Sequence, residues 1–237
     1  MIRLRSAPWG LIAIVAGFFV AMAAITPVDY GWTVYLIEHR WDPAVTFLRR
    51  TVFEGSALGA SDLPIFGLLI LIGMYVWASS RRASPMGVLL RPWLGFGMVA
   101  TLAAGLGAVH TVKWIVGRAR PYEVVAGEHL PFTPWYWPGP HFITEGVYRG
   151  SFPSGHTAVA LLCLFRARRL SAGLSMLYVP IVTGIIFSTV YLHYHYVVDV
   201  LAGAALACAG AWLGPRLEPW CEPGELVKRL AVRLGIR

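Results

Sequence analysis

The chain has 237 residues, a suitable length for one domain, and 57% of them are hydrophobic whereas 14% are charged. Soluble domains average about a quarter charged residues, so this composition disfavours a soluble globular protein and favours a membrane-embedded one. The net charge is +8, but the basic residues flank apolar segments, as topology signals of membrane proteins do, and we expect no nucleic-acid partner.

Six apolar segments approach the length of about 20 residues that a helix needs to cross a bilayer. We predict transmembrane helices over residues 8–26, 63–79, 92–116, 153–166, 172–192 and 196–214. The first segment follows Arg3 and Arg5 and has no clear small-residue cleavage site, so we expect it to be a retained span. The sequence therefore predicts an all-α bundle of six membrane-spanning helices, forming a single domain over residues 1–237.

Two connections between the predicted spans are long. Residues 27–62 carry Trp32, Tyr35 and Trp41, and such aromatic residues suit an amphipathic helix at the membrane surface. Residues 118–152 are rich in proline, glycine and aromatic side chains, and their number is unusual for a simple connector. We predict that this second loop caps or gates a site.

The basic residues fall on one side of the predicted bundle. They precede the first span, separate the second from the third and the fourth from the fifth, and follow the sixth. The positive-inside rule makes that side cytoplasmic and places both termini there. Three polar clusters lie at the opposite ends of the third, fourth and sixth spans. We therefore predict a multi-pass protein of the cell (inner) membrane with its site on the periplasmic or extracellular face.

One cluster contains His195 and Asp199, whose spacing of four residues places both side chains on one face of a helix. A carboxylate in that position orients the imidazole and raises the basicity of its other nitrogen, which can attack phosphorus and form a phosphohistidine. His193 is a competing nucleophile, but the residue four positions on is Val197. The structural alternative for the pair is an interfacial histidine and a helix-starting aspartate.

A second cluster is formed by Ser154, Gly155 and His156. Gly155 permits a tight turn at a helix start, where free backbone N–H groups bind anions, and Ser154 adds a hydroxyl donor. His156 can protonate a leaving alkoxide as a general acid. The structural alternative is an ordinary helix cap beside a surface histidine.

The remaining cluster offers cations at the end of the third span. It contains Lys113 and Arg120, with Arg118 between them, and Pro121 favours a helix end near Arg120. Fixed cations stabilise the oxygens of a phosphoryl group during its transfer. Snorkelling of basic side chains towards lipid headgroups is the alternative. Three complementary clusters on one membrane face favour a phosphoryl-transfer site over three unrelated structural features.

Together the clusters resemble the signature of the type 2 phosphatidic acid phosphatase superfamily, which contains integral-membrane lipid phosphate phosphatases and soluble vanadium haloperoxidases. The matching residues are Lys113-x6-Arg120-Pro121, Pro153-Ser154-Gly155-His156 and His195-x3-Asp199. The resemblance implies four phosphate-binding residues, namely Lys113, Arg120, Ser154 and Gly155. It implies His156 as general acid, His195 as nucleophile and Asp199 as the partner that orients it. It also implies that the reaction needs no metal and no cofactor.

The third motif departs from the family pattern. The family usually has Ser-Arg six residues before the nucleophile, and its arginine grips phosphate, whereas this chain has Ser188 and Thr189 there. Threonine cannot reproduce a bidentate guanidinium contact, so Arg118 or Arg149 is a candidate replacement. The segment 188–196 is also similar to inositol phosphorylceramide synthase-like members, which pass a phospho-headgroup to an alcohol.

The sequence thus predicts a membrane enzyme that hydrolyses a phosphomonoester or diphosphate of a lipid through a phosphohistidine. Its expected partners are a lipid phosphate substrate and the surrounding membrane lipids. Transfer of the phospho-headgroup to an alcohol or second lipid is the leading alternative. A transporter or flippase is disfavoured because the polar residues gather at span ends and no internal repeat is visible. An inactive scaffold is a further alternative, suggested by Thr189.

Overall fold

The fold is described by a computed structural model over residues 8–51, 107–125, 128–170 and 172–221. Within these ranges all regular structure is helical and no strand occurs. The predicted span 63–79 and most of the predicted span 92–116 lie outside the described residues. So does the basic tail from residue 222 onward.

The described residues form eight helices. They are α1 (Pro8–Glu38), α2 (Asp42–Thr51), α3 (Val109–Val116), α4 (Pro121–Val125), α5 (Gly146–Arg149), α6 (Gly155–Leu170), α7 (Ala172–Tyr191) and α8 (Val197–Cys221). The last three helices begin within two residues of the predicted spans 153–166, 172–192 and 196–214. That each of them crosses a membrane stays a prediction.

One segment among the described residues is long and apolar enough to cross a bilayer by itself, the 26-residue stretch Ala13–Glu38 of α1. Shorter apolar segments occur in the last three helices, at Gly155–Phe165, Tyr178–Tyr191 and Val197–Leu213. Large apolar side chains such as Ile14 and Met176 are more than two-thirds exposed, as lipid-facing side chains would be. The all-helical class is confirmed, and the membrane plan is supported in part.

Helix α1 extends further than the sequence predicted. The expected span ended at residue 26, but the helix continues through Pro27 to Glu38 although proline removes one backbone hydrogen bond. Thr26, Asp29 and Thr33 lie on one face of this extension and are buried. The polar face therefore packs inward against α4 and α8. This packing stabilises the helix beyond Pro27. The aromatic residues Trp32 and Tyr35, which suggested a helix at the membrane surface, are about half exposed, and that surface position stays a prediction.

Helix α6 is the centre of the packing, since both α7 and α8 lie against it. One buried cluster joins α2, α6 and α7 through Leu48, Ala160 and Val182. A second joins α3, α6 and α8, with Val109 and Ala207 among its members. These contacts bring the starts of α6 and α8 to the same end of the structure.

The close approach of α8 to the start of α6 depends on Gly203. A Cβ at this position would overlap the carbonyl oxygen of Ser154 and would lie 3.1 Å from Cβ of Thr157. We expect Gly203→Ala to lower the free energy of unfolding by about 1–3 kcal/mol, because a backbone atom cannot yield as a flexible side chain would. Thermal unfolding of the protein in detergent micelles measures the loss.

Gly31→Ala in α1 is the matched control for this substitution. No heavy atom lies within 4 Å of a Cβ at Gly31, so alanine meets open space there. Alanine in a helix is more stable than glycine by about 0.5–1 kcal/mol, so this variant should unfold at an equal or higher temperature. Equal melting temperatures for Gly203→Ala and the unaltered protein would show that α8 does not depend on the glycine.

Candidate active site

His195 and Asp199 lie side by side at the start of α8. His195 belongs to the turn before the helix and Asp199 to its first turn, and both side chains are 0% exposed. Nδ1 of His195 is 3.6 Å from Oδ2 of Asp199, slightly longer than a hydrogen bond. Nε2 of His195 has no hydrogen-bond partner among the described residues. The carboxylate therefore faces one ring nitrogen and leaves the other for a ligand.

Thr189 fixes the backbone of the turn that carries His195. The N–H groups of Tyr194 and His195 both donate to the carbonyl of Thr189 at 3.0 Å. His193 lies in the middle of the turn with φ of +62°, a left-handed conformation that is uncommon outside glycine. The Thr189 hydroxyl is buried and donates to the carbonyl of Ile186 at 2.8 Å. Thr189, which stands where the family that the motifs resemble usually has an arginine, thus supports the turn and provides no cation.

The electrostatic surroundings of His195 favour its neutral form. Burial lowers the pKa of His195 to about 3, although Asp199 acts to raise it, and the charge of Lys113 lowers it as well. Burial and the charges of Arg40 and Arg49 similarly lower the pKa of His193 to about 4. The imidazole of His195 is therefore uncharged near neutral pH, which is the form that a nucleophile needs.

The second cluster lies opposite His195. Ser154 precedes α6, and its buried hydroxyl accepts hydrogen bonds from the backbone N–H of Thr157 at 3.3 Å and from the Thr157 hydroxyl at 3.0 Å. Ser154 therefore caps α6. Its own N–H donates to the carbonyl of Asp199 at 2.9 Å. The ring centroids of His156 and His195 are 5.8 Å apart, so the two histidines of separate motifs are neighbours.

Two cations of the first motif lie near the turn that carries His195. Lys113 is buried in α3, and its charge acts on His195. The Arg120 guanidinium donates from Nε to the carbonyl of Arg149 at 3.1 Å and from Nη2 to the carbonyl of Tyr148 at 2.9 Å. Its Cζ lies 5.7 Å from the ring centre of Tyr194, the residue before His195. Backbone carbonyls thus hold Arg120 beside the turn.

Arg118 is fully buried and is surrounded by protein partners. Nη1 donates to Oδ1 of Asp199 at 2.7 Å, and Nη2 lies 3.6 Å from Oδ2 of Asp29. Nε donates to the carbonyl of Thr133 at 2.9 Å, and Cζ lies 3.9 Å from the ring centre of Tyr196. The sequence analysis named the Arg118 guanidinium as a candidate phosphate ligand. In the structure it instead connects α1, the long loop of residues 118–152 and α8.

Arg149 is likewise engaged with carboxylates. Nε donates to Glu123 at 2.8 Å, Nη1 lies 3.2 Å from Glu145, and Nη2 pairs with Glu128. Hydrogen bonds to Glu128 and Glu123 raise the pKa of Arg149 above its ordinary value. The buried carboxylate of Glu123 also accepts the backbone N–H of Arg120 at 2.8 Å. Arg149 thus pairs with these acids, and its backbone helps to hold Arg120.

The sequence matches the family model of the PAP2 superfamily over residues 94–222, more than half of the chain. This protein belongs to the PAP2 superfamily. The resemblance that the three motifs indicated is therefore confirmed. Membership supports a lipid phosphatase at the level of the family.

A comparison with solved structures found the crystal structure of the first transmembrane PAP2 type phosphatidylglycerolphosphate phosphatase from Bacillus subtilis. The TM-score is 0.53 and the identity 20%, and the match covers 90% of this chain and 97% of that one. At this identity the match shows that the PAP2 fold is shared. The comparison with curated proteins found no match.

Two buried carboxylates of this PAP2 protein were missed by the sequence reasoning. Asp29 is 2% exposed and lies in the segment predicted as a surface connection, and Glu123 is 1% exposed and follows the first motif. A lone acidic residue within an apolar or aromatic stretch was the available signal, because such residues are rarely buried without a partner. Their partners are Arg118 and Arg149, the two arginines that the sequence analysis had named as candidate phosphate ligands.

The long loop packs on the start of α8 with its aromatic residues. The ring of Phe132 lies 5.5 Å from that of Tyr196 and 5.2 Å from that of Tyr30. Trp135 stacks on Phe152 with centroids 5.4 Å apart. These contacts connect the loop to α1, to α8 and to the segment before Ser154. The loop consequently lies against the same helix starts that carry the motif residues Ser154 and Asp199.

Proposed function

We propose that this PAP2 protein is a lipid phosphatase that removes a phosphomonoester or diphosphate group from a membrane lipid through a phosphohistidine. The observation that carries the proposal is the meeting of His156 and His195, 5.8 Å apart between ring centroids, with Asp199 beside the second. Such a pair can provide a nucleophile and a general acid on opposite sides of one phosphorus atom.

In the first step, Nε2 of His195 attacks phosphorus and the bond between phosphorus and the lipid oxygen breaks. His156 in its protonated form donates its proton to that oxygen, so a phosphomonoester leaves as the lipid alcohol and a diphosphate leaves as the lipid monophosphate. Asp199 stabilises the positive charge that the His195 ring acquires, because its carboxylate lies 3.6 Å from Nδ1. The neutral form of His195 makes Nε2 available for the attack.

In the second step, a water molecule attacks the phosphohistidine. His156, now neutral, accepts a proton from that water, and the bond between phosphorus and Nε2 breaks. Orthophosphate leaves and His195 returns to its starting form. The same two histidines therefore serve both steps, with His156 acting first as acid and then as base.

The phosphoryl oxygens are held by Lys113, Arg120, the Ser154 hydroxyl and the backbone N–H groups that begin with Gly155. Helix α6 supports this assignment, because the N–H groups at a helix start bind anions. Arg118 and Arg149 take no part in binding phosphate, since carboxylates engage both guanidinium groups. Lys113 and Arg120 are therefore the two cations that bind the phosphate. The family usually has a third cation, an arginine, at the position of Thr189, and neither Arg118 nor Arg149 takes its place.

The proposed setting is a cell (inner) membrane that the chain crosses several times. The apolar 26-residue segment of α1 and the exposed apolar side chains support a bilayer as the surroundings. The distribution of basic residues supports cytoplasmic termini and a site on the periplasmic or extracellular side. The lipid tail would then remain in the bilayer while its phosphate enters from the water.

A release assay tests the proposed function. The purified protein is incubated in mixed micelles with phosphate-labelled phosphatidic acid, phosphatidylglycerol phosphate or polyprenyl diphosphate, each with and without an alcohol acceptor. We expect labelled orthophosphate from at least one lipid, independent of the alcohol. A labelled new lipid that forms only with the alcohol would favour transfer in place of hydrolysis. No labelled product from any lipid would reject the enzyme.

A further inference from the structure

We propose that Arg118 and Asp29 are positioning residues that hold Asp199, and through it His195, in the geometry of attack. The inference rests on the proposed function, because its effect is read in the rate of phosphoryl transfer. Neither residue reaches the substrate. They act from behind Asp199, on the side away from the imidazole.

The three charged side chains form one buried group. Arg118 lies between two carboxylates, 2.7 Å from Asp199 and 3.6 Å from Asp29, and all three side chains are 0% exposed. One guanidinium cannot neutralise two carboxylates, and an uncompensated buried charge is costly. The remaining negative charge must therefore be stabilised by other groups nearby.

The start of α8 provides that stabilisation. The backbone N–H of Val198 lies 3.3 Å from both carboxylate oxygens of Asp29, 169 positions away in the chain. The residue before the helix is Tyr196, which is not among the short polar residues that cap helices with their own side chains. Asp29 on α1 therefore supplies the missing cap, and the positive end of the helix dipole favours its charge.

Asp199 completes the cap from within α8. Its Oδ2 accepts the backbone N–H of Tyr196 at 2.9 Å, the reciprocal half of a capping box. Its Oδ1 accepts Nη1 of Arg118. Because each carboxylate oxygen accepts a hydrogen bond from its own donor, the carboxylate cannot rotate. Oδ2 therefore remains the oxygen that faces Nδ1 of His195.

The shape of the arginine side chain matters for this arrangement. Its planar fork bonds Asp199 and the carbonyl of Thr133 at the same time, while its face lies 3.9 Å from the ring centre of Tyr196. A lysine carries the same charge but has neither the fork nor the plane. Arg118→Lys therefore keeps the charge and removes the fixed orientation.

The test measures the rate of phosphoenzyme formation by rapid quench with labelled lipid phosphate, together with kcat and KM. For Arg118→Lys we expect kcat and the rate of phosphoenzyme formation to fall about 10- to 100-fold, the usual effect of losing a partner that orients a reacting group. KM should change little, because Lys113 and Arg120 still bind phosphate. Arg40→Lys is the matched control, since Arg40 forms an exposed ion pair with Asp42 and should keep its rate.

A structural role would give a different result. If Arg118 only stabilises the fold, Arg118→Lys lowers the amplitude of the phosphoenzyme burst, which counts active molecules, and leaves the rate constant unchanged. That outcome would overturn the inference while the activity of the unaltered protein upholds the proposed function. Absence of phosphoenzyme in the unaltered protein would instead overturn the proposed mechanism.

Asp29→Asn provides a second test that does not depend on the folding of the Arg118 variant. Asparagine keeps the shape and can still accept the N–H of Val198, so the helix cap remains, but the charge opposite Arg118 is lost. We expect the rate of phosphoenzyme formation to fall about tenfold at unchanged burst amplitude. A rate constant equal to that of the unaltered protein would contradict the role of Asp29.

Discussion

Replacing His195 with asparagine is expected to abolish phosphate release, lowering kcat by about 10⁴-fold or more. An amide nitrogen does not attack phosphorus, so the covalent intermediate cannot form and the reaction must occur in a single step. The measurement is orthophosphate release from labelled lipid phosphate, with the protein quenched at alkaline pH to detect label bound to histidine. We expect labelled protein from the unaltered chain and none from the variant.

The same substitution two residues earlier provides a matched control. His193 lies in the same turn, has the same side chain and has φ of +62°, which asparagine tolerates better than most residues. His193→Asn should therefore fold and keep a turnover within a few-fold of the unaltered protein. If His193→Asn loses the label and His195→Asn keeps it, the nucleophile is His193 and the i+4 argument with Asp199 is wrong.

The sequence predicted the starts of the helices around this site well, because residues that begin helices are local signals. The ends were predicted less well, since α6 and α8 extend four and seven residues beyond the predicted spans. Pro153 and Gly155 mark the start of α6, and the observed helix begins at Gly155. Helix α8 begins one residue after its predicted start. Such boundaries follow from hydropathy and from residues that stop or start helices, which are properties of adjacent positions.

The course of α1 was not predictable in the same way. In residues 27–38 the sequence analysis noted aromatic side chains that suit a membrane surface, but periodicity does not tell what the other side chains contact. Asp29 meets Arg118 and the N–H of Val198, which lie 89 and 169 positions away. Contacts over such separations arise from the assembled fold. The burial of Asp29 beside the candidate site was therefore not predicted.

The arginines show a similar limit of sequence reasoning. The motif spacing selected Arg120 and left Arg118 as a candidate replacement, but it did not show that Arg118 pairs with two aspartates. Arg149 pairs with acids on three separate segments of the loop and α4. The role of a cation depends on which anions are near it, and only the fold decides that.

His156→Ala is expected to slow phosphoenzyme formation from a lipid phosphate by about 10²- to 10⁴-fold, the usual contribution of a general acid. The departing lipid alkoxide is strongly basic and needs a proton as its bond to phosphorus breaks. A nitrophenyl phosphate releases a far weaker base, which can leave without that proton. The loss of rate on this second substrate should therefore be much smaller.

The ratio of the two rates separates catalysis from other roles of His156. Both substrates carry the same phosphoryl group, so a residue that only binds phosphate or supports the start of α6 would slow them equally. The unaltered protein assayed on both substrates gives the reference ratio, and the burst amplitude corrects for inactive molecules. Equal losses on the two substrates would assign His156 to binding or to the fold, and the proton would then have to come from another group. A selective loss on the lipid substrate places the proton on His156, 5.8 Å from the ring that attacks.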